Sequence, residues 1–105
     1  MTRTLATVVE AAAGGLNRPI ERRIADDGQI EFLRGGQPFA AVDPDGAWAS
    51  FQLTATVAAA ALRTPETEAS ARGPRWVTLR PATLDGPAID RASAWFESAW
   101  RAAGD

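Results

Sequence analysis

The chain changes its hydrophobic period twice, and those changes divide it into elements. From Thr4 to Ala13, Leu5, Val8, Val9 and Ala12 recur at helical spacing, and Gly14-Gly15 supplies a stop. After Pro19 the period falls to two. Ile20 and Ile24 share a face of one short strand, Ile30 and Phe32 a face of a second over Gln29 to Arg34. Phe39 and Ala41 alternate along a third strand, Gln37 to Val42. A fourth, Ala47 to Leu53, points Ala49, Phe51 and Leu53 one way and Trp48 and Ser50 the other. Tight turns separate these strands. Asp27-Gly28 reads as a two-residue type I′ hairpin, Gly35-Gly36 as a second hairpin, and Asp43-Pro44-Asp45-Gly46 as a third turn. Four strands joined this way form an antiparallel meander.

Past the meander, Thr54 offers an N-cap for a short helix over Val57 to Leu62. The stretch from Thr64 to Gly73 is polar and patternless, which predicts a surface loop or a frayed helical turn. Arg75 to Arg80 alternates again as a fifth strand, ended by Pro81, which cannot donate to a ladder. The longest amphipathic run starts at Gly86 or Pro87, with Asp85 favourably placed beside its positive end. Ile89, Ala92, Trp95, Phe96, Ala99, Trp100 and Ala103 fall within an arc of roughly 140°, with Trp95 and Trp100 at its margins. The predicted fold class is α+β: one domain over residues 1–105, an antiparallel meander of five strands, and N-terminal, short middle and long C-terminal helices packed on it.

Composition narrows the chemistry. The chain of 105 residues contains no Cys, no His and no Tyr, and all 11 of its basic residues are Arg. Disulfides, thiolate metal sites, thiol nucleophiles, imidazole bases and Schiff-base lysines are therefore excluded. No catalytic residue, metal site or cofactor is expected. No apolar run approaches the ~18 residues of a membrane span, and Met1 to Ala6 does not read as a signal peptide, so the expectation is a cytoplasmic protein without a membrane partner. The net charge of −2 lacks the basic surplus usual in duplex-DNA binders.

Few residues stand out as chemistry. Asp43-Pro44-Asp45-Gly46 lacks the further oxygen ligands of a calcium loop, and Asp26-Asp27 lies in a turn where solvent keeps carboxylates ordinary. Neither Gly pair has the spacing of a phosphate-binding loop. Trp48 points away from the Phe51/Leu53 face and is a candidate interface residue, for a second copy or another protein. Arg22, Arg23 and Arg34 on the first two strands, with Arg75 and Arg80 flanking the fifth, are candidate nucleic-acid-binding residues for double-stranded DNA. The competing reading is a solvated face with ion pairs to Glu21 and Glu31.

The segment Ile30-Glu31-Phe32-Leu33-Arg34-Gly35-Gly36-Gln37-Pro38-Phe39-Ala40 resembles the MmcQ/YjbR family. So does Trp76-Val77-Thr78-Leu79 leading through Leu84-Asp85-Gly86 to a terminal helix with Ala99-Trp100-Arg101. The likeness covers residues 29 to 103, and Gln37 stands where that family often has Lys. The closing strand and helix are also similar to the small luciferase-type domain family. The resemblance implies a YjbR/CyaY-like antiparallel sheet covered by helices. Such domains are often labelled DNA-binding because they are similar to a double-wing architecture. A non-enzymatic binding or regulatory domain is what this implies, and no site residue is carried over.

Overall fold

Thr4 starts the first helix by closing a capping box. Its hydroxyl accepts from the Thr7 amide at 3.3 Å, and the Thr7 hydroxyl accepts from the Thr4 amide at 3.0 Å. The computed structural model describes residues 4–104. Helix α1 (Leu5–Gly15) buries Leu5, Val8, Val9 and Ala13 and runs through both glycines before Asn17 turns the chain at φ 53°.

Strands β1 (Glu21–Ile24), β2 (Ile30–Arg34), β3 (Gln37–Val42) and β4 (Ala49–Gln52) follow as the predicted meander. Gly35 and Gly36 both take positive φ, as a two-residue hairpin turn requires. The first hairpin differs from its prediction. Only Gly28 has positive φ, the Gly28 amide bonds to the Ala25 carbonyl and the Ala25 amide to the Gln29 carbonyl. That is a three-residue connection in which glycine takes the bulge position, so Asp27 is spared a left-handed backbone.

Helix α2 (Ala55–Ala61) is capped by Thr54, whose hydroxyl accepts from the Val57 amide. The polar stretch after it was predicted to be loop or frayed helix. It instead contains an edge strand, β5 (Thr67–Ala69), so among the described residues the sheet has six strands and not five. Strand β6 (Trp76–Leu79) inserts between β4 and β5, giving the order β1-β2-β3-β4-β6-β5, antiparallel throughout. A three-residue edge strand needs no apolar alternation, because neither of its faces is fully covered; the backbone ladder to β6 alone defines it.

Helix α3 (Gly86–Ala103) closes the domain, with Asp85 accepting from the Ala88 amide at 3.0 Å. Its buried Ala92 and Ala99 let the backbone approach the sheet, while Phe96 meets Phe32 and Phe39 edge-on at centroid distances of 5.2 Å. All three helices contribute to one core cluster. The β2, β4 and β6 residues in or packed against that cluster lie on one face: Ile30 and Phe32, Ala49 and Phe51, Val77 and Leu79. The helices therefore cover one side of the sheet, and the α+β class is as expected.

Strand β3 corrects one face assignment. Phe32 pairs with Ala40 but Leu33 pairs with Pro38, so Phe39 is the extra residue of a bulge. Both Phe39 and Ala40 join the core, whereas Ala41, expected on the side of Phe39, pairs with Glu31 and Ser50 on the opposite face.

Candidate functional site

The sheet face away from the helices is built by alternation. In register across it run Arg23, Glu31, Ala41, Ser50, Thr78 and Glu68, one from each strand. Glu31, Ser50 and Thr78 are buried although polar, so each must find a partner within the fold. Ser50 and Thr78 bond to one another at 2.7 Å across β4 and β6.

Glu31 is the centre of a small ionic cluster. Its Oε1 lies 2.8 Å from Arg23 on the edge strand, and its Oε2 lies 2.9 Å from Arg72 in the β5–β6 connection. Burial raises the Glu31 pKa, but hydrogen bonds and charge from the two guanidiniums outweigh it and leave the carboxyl below its ordinary value. Arg72 also donates to Gln29 at 2.7 Å and lies 5.0 Å from the centre of the Trp76 ring. Because two strands separate β6 from β2, roughly 14 Å on a flat sheet, this connection must lean over the face to reach Glu31. All four β6 residues are buried: Val77 and Leu79 in the helix-side core, Thr78 against Ser50, and Trp76 beneath Arg72.

Between the leaning connection and β4 lies an open groove of about 160 Å³. Ser50 and Thr78 form its floor, with Trp48, Gln29, Ser70, Ala71, Arg72 and Arg80 around them. Trp48 is half-buried, and it sits opposite the Phe51 face as its position in the alternation predicts. The charged side chains lining the groove are both arginines.

The candidate arginines do not converge. Arg80 lines the groove and pairs loosely with Glu68 at 3.3 Å. Arg23 is on the same sheet face but at its far edge, bound to Glu31. Arg22 and Arg34 lie on the helix side. Arg22 grips Glu10 of α1 through three hydrogen bonds of 2.8–3.1 Å, which raise its pKa against the cost of burial. Arg34 stacks on Trp100 at 3.8 Å and donates to its carbonyl at 2.7 Å, satisfying the end of α3. Arg75 is exposed and makes no ion pair among the described residues.

The expected pairing with Glu31 is present, through Arg23, but Arg22 goes to Glu10 and not to Glu21. Trp48 was legible from strand alternation, and Arg80 only as a residue flanking a strand. Arg72 was not, because a residue in a patternless stretch gives no sign of where it folds. Glu31 carried a usable signal, being an acid flanked by Ile30 and Phe32 in an interior strand.

The described residues contain no cluster of three or more acidic side chains suited to a metal ion. No described helix is long and apolar enough to cross a membrane. Comparison with family models, with curated proteins and with solved structures finds no match.

Proposed function

We propose that this chain is a cytoplasmic, non-enzymatic binding module of the MmcQ/YjbR type that docks an acidic segment of another protein on its open sheet face. The observation that supports this most is the groove, where a half-buried tryptophan stands among arginines and hydroxyls with no acid in the lining. An aromatic beside guanidiniums suits a carboxylate neighbouring an apolar or aromatic side chain. Binding is favoured over catalysis because Glu31, the buried acid of the same sheet face, is already held by two arginines and offers no free base. The space between sheet and helices is filled by Phe32, Phe39, Phe51 and Phe96, all fully buried, which favours a surface partner over an enclosed small molecule.

Duplex DNA is the occupant that the family resemblance suggests, and the dispersal of Arg22, Arg23, Arg34, Arg75 and Arg80 speaks for the protein partner instead. The two readings separate in one pair of experiments. Selection from a random peptide display library should enrich Asp or Glu next to an aromatic residue, with Trp48→Ala and Arg80→Ala each weakening the selected peptide about tenfold. A 30-base-pair duplex titrated at low ionic strength should show no binding. Arginine-dependent duplex binding that falls steeply with salt, or enriched peptides indifferent to Trp48 and Arg80, would overturn the proposal.

A further inference from the structure

Strand β1 is an uncovered edge. All four of its residues, Glu21 to Ile24, are exposed, and Ile24 is the most exposed large apolar side chain among the described residues, at 67%. An edge strand presents a row of backbone groups with no neighbouring strand, and folds normally blunt it with a short length, charged side chains, a proline, a bulge or a cover; here Arg22 already donates to the Ile20 carbonyl at 3.0 Å, beside the strand. The opposite edge follows that rule: β5 has only three residues, and its Glu68 is paired with Arg80. Strand β1, four residues long, relies on charged side chains, and their order is self-complementary, so a second copy can satisfy them.

We infer that β1 pairs antiparallel with β1 of a second copy, about a two-fold axis centred on Arg22 and perpendicular to the sheet. Alternation places Glu21 and Arg23 on the open face, and Arg22 and Ile24 on the helix side with Ile20. Centring the pair on Arg22 sets each Glu21 opposite Arg23 of the other copy, and each Ile24 opposite Ile20 of the other copy. The two Arg22 side chains face each other, but each is already neutralised by Glu10. Neighbouring registers that keep the faces aligned fail: one opposes Glu21 with Glu21, the other opposes Arg23 with Arg23 and Ile24 with Arg22. Ile24 thereby leaves water, and the sheet becomes twelve strands with both grooves on the same side. This surface is distinct from the groove and does not rest on what the groove binds.

Sedimentation velocity over a wide concentration range tests it. The unmodified chain should reach a dimer, and Glu21→Arg, Arg23→Glu and Ile24→Lys should each sediment as monomers. Glu21→Arg mixed with Arg23→Glu should recover the dimer. In that mixed pair the arginine introduced at position 21 meets the glutamate introduced at position 23, and the unmodified Arg23 of one copy still meets the unmodified Glu21 of the other. Recovery on mixing requires both chains to be folded, so it separates interface loss from unfolding. Should Arg23→Glu fail to fold for want of its Glu31 contact, Glu21→Arg and Ile24→Lys carry the test, at positions with no ion pair among the described residues. A chain that stays monomeric up to about 0.5 mM, a dimer unmoved by Glu21→Arg and Ile24→Lys, or a mixture of folded variants that stays monomeric would overturn the inference.

Discussion

Arg34 is held by the end of a helix. Its guanidinium lies over the Trp100 ring, and Nη1 reaches the Trp100 carbonyl, one of the last in α3, where a cation also complements the helix dipole. The fit extends to Gly104, where a Cβ would run into the Arg34 guanidinium. Arg34→Ala should lower stability by roughly 2 kcal/mol in a urea titration, and Arg34→Lys should recover only part, since a lysine cannot stack and donate together. Glu31 acts in the other direction, tying β2 both to its neighbour β1 and to the β5–β6 connection that leans across the sheet. Its folded pKa is lowered, so the stability it supplies is fully present above the ordinary glutamate value and is lost as pH falls through the folded value. Glu31→Gln should therefore flatten the acid limb of the stability–pH curve. A pH-independent difference between the two proteins would contradict that assignment.

At the scale of elements, the connection between β3 and β4 shows a glycine used twice over. Gly46 has φ 79°, donates to the Asp43 carbonyl at 2.8 Å, and would place a Cβ only 2.6 Å from the Thr4 Cβ at the start of α1. Gly36 has nearly the same φ, 80°, but open space around it. Gly36→Ala should thus cost only the backbone strain, about 1 kcal/mol, and Gly46→Ala clearly more, because it also pushes on the α1 cap. Equal urea midpoints for the two variants would show that the α1 contact is slack. These turns were legible because Gly, Pro and Asp act through local backbone geometry, as did the meander and the amphipathic arc of α3. The bulge at Phe39 was not, since an extra residue changes no residue type yet reverses every face assignment after it. Strand β5 was hidden for a related reason: three residues, two of them exposed, have no period to read. The groove inherits both limits. Its β4 side, with Trp48, followed from alternation, whereas Arg72 and Ser70 come from a segment placed only by tertiary contacts.

The whole molecule separates its helix-covered side from two free surfaces, the groove and the β1 edge. Trp48 lies at the entrance to β4, and three strand spacings, roughly 14 Å, separate β4 from β1. Pairing through β1 extends the sheet sideways and leaves the groove open, whereas a partner docked on the open face must cover Trp48. Tryptophan emission can tell these events apart. Trp76 and Trp95 are buried at 7% and 9% exposure, and Trp100 is shielded on one face by Arg34, so Trp48 should carry most of the acrylamide quenching. Trp48→Phe should accordingly remove most of the quenchable emission. Quenching of the unmodified chain should stay constant as concentration rises through the dimer transition, and fall when an acidic aromatic peptide is added. If quenching drops with concentration alone, the second copy covers the open face, and the edge-paired arrangement gives way to a face-to-face one.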